Sequence, residues 1–179
     1  MFGDFIRLFI TKAETVRTLK KGSYLFHRNA PVCTVYVIEN GLIELIRYQQ
    51  NGTSITLQRA AEMTFIAEAS VYSDTYHCDA IAEQTSKVHE LPKTAFLKLI
   101  RNNPDLSNMW SAYLAAEVQS ARYRSETLSR KTVTERLDCW QDWNNRELPP
   151  KGQWKNIAAQ LAVSPEALYR ELAKRRKGN

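Results

Sequence analysis

Residues 34–58 read TVYVIENGLIELIRYQQNGTSITLQ, apolar runs broken by Asn40-Gly41 and Asn51-Gly52. Both residues of an Asn-Gly pair tolerate positive φ, so each pair predicts a tight hairpin between antiparallel strands. Strand-like alternation extends from about residue 16 to residue 91, and YHCDAIAEQTSKVHEL (76–91) adds two more runs around a polar turn. Several short antiparallel strands at this spacing require a closed or doubled sheet, a sandwich or barrel.

The period then changes. Pro92 opens a short helix, PKTAFLKLIRNN, and NPDLSNMWSAYLAAEVQSARYRSETLSR (103–130) follows as one long helix. Asp105 sits near its start, where negative charge suits the helix dipole. Leu114, Val118, Ala121, Ser125 and Leu128 recur at alternating steps of four and three, which favours the seam of a two-helix dimer over the alternative, packing of this face against the sheet domain. TVTERLDCWQDW (132–143) predicts a further amphipathic helix with Val133, Leu137, Trp140 and Trp143 on or near one face, and NNRELPPKGQ (144–153) a connector. At the other end, Phe2, Phe5, Ile6 and Phe9 fall at helical spacing, which predicts a docked amphipathic helix and not a signal peptide.

The last segment, GQWKNIAAQLAVSPEALYRELAKRRKGN, carries the functional signal. Ile157, Ala158 and Leu161 would face a core, with 162–164 as the turn. Ser164 is placed to cap the second helix and Pro165 to occupy its first position, where no amide hydrogen is needed. Val163, Leu168 and Leu172 then point inward, leaving Pro165, Glu166, Tyr169, Arg170 and Lys174 outward. That is a helix-turn-helix, whose second helix meets base edges. Arg170 can bond a guanine edge, Glu166 can accept from cytosine, and Lys174, Arg175, Arg176 and Lys177 can neutralise phosphates. Charge agrees: of a net +6, most lies beyond Pro150, where seven basic residues face only Glu166 and Glu171.

With 44% hydrophobic and 25% charged residues the chain has a globular, soluble composition, and no apolar run approaches the ~20 residues of a membrane span. Cys33, Cys78 and Cys139 show no paired spacing, which argues against disulfides or a zinc site and for a reducing cytoplasm. No nucleophile–base pair stands out, so an enzyme is not expected.

Taken together, these parts resemble the Crp/Fnr family of bacterial transcription regulators. The resemblance runs from about residue 16 onward: KKGSYLFHRNAPVCTVYVIENGLIELIRYQQNGTSITLQ looks like the family's cyclic-nucleotide-binding roll, with Gly22, Gly41 and Gly52 at its turns. FIAEAS (65–70) resembles the start of the phosphate-binding cassette, NPDL the start of the long helix, and VSPEALYRELA the recognition helix, with Ser164 at its cap and Glu166 and Arg170 at the base-reading positions. The resemblance implies an α+β fold with an antiparallel β-roll of double-stranded jelly-roll type (1–103), a dimerisation helix (104–131) and a helix-turn-helix domain (132–179). It further implies double-stranded DNA and a second copy as partners, RNA polymerase as one more that the family allows, and no membrane.

Three departures qualify what the resemblance implies. In a nucleotide-binding cassette the Glu is followed ten residues later by Arg-Ser; here Glu68 is followed by Cys78-Asp79, which cannot supply an arginine's bonds to phosphate. Ala67 stands where the cassette has a glycine, and Ala121 and Arg122 replace the long helix's polar pair. This leaves a vestigial effector pocket (Glu68, Cys78, Asp79, Ala121, Arg122) that should not bind cyclic AMP. The N-terminal segment also lacks the cysteine cluster with which Fnr-type members hold iron–sulfur, so no cofactor or metal is expected. Finally, the sequence offers no two-stranded wing after the recognition helix, so a wingless module is expected. The function expected is a dimeric, sequence-specific DNA-binding regulator with an unidentified effector or none. The alternatives are a sensor of another small effector, or a protein that binds no DNA and acts through heterodimers.

Overall fold

The computed structural model describes residues 2–144 and 147–178, with side chains through Arg176. The chain divides into two compact units, 1–114 and 115–179, with the boundary inside the long helix rather than at its start.

The first unit is built on eight strands among the described residues: β1 (Thr15–Leu19), β2 (Tyr24–Phe26), β3 (Thr34–Asn40), β4 (Leu42–Tyr48), β5 (Ser54–Ala61), β6 (Thr64–Ile66), β7 (Asp79–Ala82) and β8 (Ser86–Pro92). They form two antiparallel four-stranded sheets, ordered β1-β8-β3-β6 and β2-β7-β4-β5. Asn51-Gly52 does close a hairpin, since Tyr48 pairs with Ser54 across it and Gly52 takes φ 80°. Asn40-Gly41 does not. β3 and β4 belong to different sheets, so Gly41, at φ 105°, carries the chain from one layer to the other. The Asn-Gly signal marked the positive φ of the two glycines but misassigned the partners of the first pair, because β3 pairs with β8 and β4 with β7, both distant in the chain.

Alternation along the strands makes two cores. Ile38, Ile43, Leu45, Ala60, Cys78, Ala80 and Val88 fill the space between the sheets. The other face of the first sheet, through Val35, Val37, Phe65 and Leu91, packs on α1 (Gly3–Lys12), α2 (Lys93–Asn102) and the beginning of α3 (Pro104–Ser129). Phe5, Ile6 and Phe9 bury the apolar stripe of α1 there, among Phe65, Phe96 and Trp110. Asn103 starts α3 by accepting from the amides of Asp105 and Leu106 at 3.0 and 3.1 Å, which satisfies two of the helix's orphan donors.

The second unit holds the later part of α3, then α4 (Val133–Trp143), α5 (Trp154–Gln160) and α6 (Pro165–Gly178). Thr132 and Glu135 form a reciprocal capping box at the start of α4. Leu137, Trp140, Trp154, Ile157, Ala158, Leu161, Leu168 and Leu172 make one core from the three short helices. Trp143, expected near that face, is exposed and stacks on Tyr123 of α3 with ring centroids 4.4 Å apart.

Candidate nucleic-acid interface

The chain enters α6 through Ala162, a non-glycine residue at φ 50°. Ser164 Oγ then accepts from the Ala167 amide at 3.1 Å, and Pro165 is the first helical residue. Burial of Leu168 and Leu172 fixes the helix's rotation and leaves Ser164, Glu166, Arg170 and Lys174 exposed. The last three recur at intervals of four, so they form a single stripe.

That stripe is narrower than the sequence suggests. Tyr169 is half-buried, its ring tilted against Trp154 at 5.7 Å, and so belongs to the core's edge rather than to the outward face. Arg175 turns inward. It pairs with Asp138 at 2.7 Å and Glu171 at 2.8 Å, and donates to Gln141 Oε1 at 2.9 Å and the Thr134 carbonyl at 3.2 Å. It braces α6 against α4, a role the basic run KRRK concealed. Arg176 lies over the Trp154 ring, 5.3 Å from its centroid. The Lys177 side chain lies outside the described residues.

Glu166 turns toward its own helix end, not toward Arg170. Its own amide and the Ser164 hydroxyl hold the carboxyl below its usual range. This favours an ionised carboxylate at the positive end of α6.

On α3 the expected seam divides by surroundings. Leu114 packs into the first unit's core, whereas Val118, Ala121, Ser125 and Leu128 are exposed, Val118 at 48% and Leu128 at 38%. A valine and a leucine left open on one helix face form an apolar strip that nothing among the described residues fully covers.

In the roll, Glu68 is buried and accepts from Gln58 Nε2 at 3.3 Å. Ala67 before it adopts φ 58°, ψ 33°, the left-handed conformation that favours glycine and costs an alanine about 1 kcal/mol. Cys78 is fully buried in the inter-sheet core, and burial pushes its thiol up to about 11. Asp79 follows on the opposite strand face, where it accepts from the Arg28 amide at 3.1 Å and lies 3.3 Å from His27 Nδ1. Cys78 is therefore a buried thiol that keeps its proton near pH 7, and Asp79 lies on the other face of the strand. Ala121 and Arg122 lie on α3 in the second unit, both exposed. Among the described residues no three His, Cys, Asp or Glu gather to hold a metal, and no helix is long and apolar enough to cross a membrane.

Sequence reasoning missed Arg136, whose guanidinium donates to four main-chain carbonyls in the second unit. No spacing rule signals such a residue, because its partners lie up to 26 positions away.

Residues 16–103 match the cyclic nucleotide-binding domain family. The transcriptional activator protein Anr of Pseudomonas aeruginosa is 24% identical over 121 residues, covering 68% of this chain and 50% of that protein, so the match spans about half the length of that relative. Among solved structures, FixK2 of Bradyrhizobium japonicum superposes with a TM-score of 0.73 at 17% identity, over 92% of this chain and 85% of that one. The c-di-GMP-responsive global regulator CLP of Xanthomonas campestris gives a TM-score of 0.67 at 16% identity, over 98% and 92%.

Proposed function

We propose that this chain is a dimeric regulator of the Crp/Fnr type that reads duplex DNA through α6 and does not respond to cyclic AMP. The observation that carries the reading is the stripe Ser164, Glu166, Arg170 and Lys174, exposed on a capped helix whose opposite face is locked into a core by Leu168 and Leu172. With α5 before it, the stripe supports a helix-turn-helix reading, in which such a face enters the major groove. Arg170 would take a guanine edge and Lys174 a phosphate, with Glu166 near the helix's N-terminus available to a cytosine amino group. The exposed Val118–Leu128 strip supplies the reason to pair. A dimer would cover it and present two reading helices to a two-fold site.

In the roll, a buried thiol where a phosphate-binding guanidinium is required supports loss of cyclic-nucleotide binding. Three free cysteines suit a reducing compartment such as the cytoplasm. Selection of duplexes from a random pool with the full chain tests the reading, with genome-wide mapping of the tagged protein as its counterpart in cells. Enrichment of a two-fold symmetric sequence is the expected result. Recovery of no sequence would reject DNA reading and leave partnership with another regulator subunit, through the same α3 strip, as the function.

A further inference from the structure

Arg136 stands near the start of α4 and is half-buried. Its Nε donates to the Arg130 carbonyl at 2.9 Å and its Nη2 to the Leu128 carbonyl at 3.3 Å. Its Nη1 donates to the Leu161 carbonyl at 2.9 Å and the Ala162 carbonyl at 3.3 Å. The first pair lies at the C-terminal end of α3 and the second at the end of α5. Carbonyls at such ends lack partners within their helix and carry the negative end of its dipole. One planar cation with five fixed donors thus closes two helix ends at once, which no other side chain could do from this position.

The two ends it joins matter for DNA reading. Only residues 130–132 link α3 to α4. The amides of Lys131 and Thr132 donate to Glu135 Oε2 at 3.2 and 3.0 Å, which orders the start of α4. Tyr123 of α3 meets α4 farther along by donating to the Cys139 carbonyl and stacking on Trp143; neither contact reaches the α5–α6 junction, which Arg136 does. On the other side, Leu161 and Ala162 are the backbone that leads into the Ser164 cap of α6. We infer that Arg136 is a positioning residue: it fixes α6 against the end of α3 and so sets the separation of half-sites that a dimer can read. The inference rests on the proposed DNA reading and on pairing through α3. A dimer held at one angle tolerates a wrong spacing only by deforming the DNA, at a cost equivalent to roughly tenfold or more in affinity.

The test compares the full-length wild type with Arg136→Lys and Arg136→Gln. Lysine keeps the charge but carries its donors on one nitrogen and cannot span both helix ends, so the fold is retained while the strut is lost. Amide residual dipolar couplings over residues 115–144 and 147–178 should fit one alignment tensor in the wild type and require two in both variants. With half-sites taken from wild-type selection and the spacer changed by single base pairs, the wild type should lose about tenfold per step. Both variants should flatten that dependence while keeping the same base preference within each half-site. One tensor together with undiminished spacing discrimination in Arg136→Lys would overturn the inference, as would two tensors with discrimination unchanged. If the wild type itself selects no DNA, the functional reading fails, and the dipolar couplings still decide whether Arg136 holds the two ends as one body.

Discussion

Gly41 passes against Ser86 so closely that a Cβ on the glycine would lie 2.2 Å from Ser86 Oγ and 2.6 Å from its Cα. Ser86 is fully buried and its hydroxyl accepts the Leu42 amide at 3.1 Å, so it has nowhere to retreat. Gly41→Ala must therefore overcome both a positive φ and a backbone clash, and should lower unfolding stability by about 3 kcal/mol or more. Gly52→Ala, at φ 80° with open space around it, should cost only about 1 kcal/mol. Urea titration of the two variants separates the effects. Equal losses would mean that the crossing at Gly41 is not tight.

The same pair shows what can be read from a one-dimensional pattern. Asn40-Gly41 and Asn51-Gly52 carry identical local signals, and both glycines adopt positive φ. Which strands then pair is decided by register against β7 and β8, from distant parts of the chain, and that separates a hairpin from a crossing between sheets. The site behaves likewise. Ser164, Pro165, Leu168 and Leu172 were legible because a cap and an apolar period are local properties. Arg175 was not: a basic run looks solvated until Asp138 and Gln141 are brought beside it.

Pairing through α3 predicts a clean separation of assembly from folding. Val118 and Leu128 are exposed and belong to none of the buried cores, so glutamate at either position should disturb the fold little. In a two-fold seam the same change places like charges opposite each other in an apolar strip. Val118→Glu and Leu128→Glu should each scatter light as monomers while keeping the wild-type circular dichroism. Dimers from both variants would place the interface elsewhere.

The buried thiol gives a pH dependence of definite sign. Cys78 titrates near 11 in the folded chain, against about 8.5 for an unfolded thiol. Between those values the native state keeps a proton that the unfolded state releases, so stability falls as pH rises. The contribution is complete below about pH 8.5 and lost progressively toward pH 11, on the order of 3 kcal/mol. Denaturation of wild type and Cys78→Ala at several alkaline pH values isolates this group from the tyrosines, which both proteins share. The alanine variant should be the less sensitive, and parallel curves would show that the thiol is not held protonated.

For cyclic AMP the expectation is silence. Titration calorimetry at millimolar nucleotide should record only heats of dilution, since Cys78 offers no charge to a phosphate and Asp79 is engaged with His27 and Arg28. Saturable heat with micromolar affinity would refute this account of the pocket. Cys78→Arg should not restore binding, because the guanidinium would enter a fully buried core position beside Ala80 without a partner.

The reading helix itself should respond in two separable ways. If α6 reads DNA as proposed, Arg170→Ala should cost roughly 1–3 kcal/mol on the best site, relaxing preference at one base pair in each half-site. On the same proposal Lys174→Ala, which removes an exposed positive charge from the stripe, should weaken chosen and random duplexes about equally. It should also reduce the salt slope by about 0.9 for each phosphate no longer neutralised, doubled by two-fold symmetry. Arg175→Ala should behave like neither. Its guanidinium is committed to Asp138, Glu171 and Gln141, so the change should lower the melting temperature and loosen α6 without altering the salt slope beyond its share of net charge. Affinity across a salt series for the three variants, measured on specific and random duplexes, distinguishes base reading, phosphate neutralisation and scaffold in one experiment. If Arg170→Ala leaves both affinity and base preference intact, α6 does not read DNA, and the exposed α3 strip becomes the surface on which the protein acts.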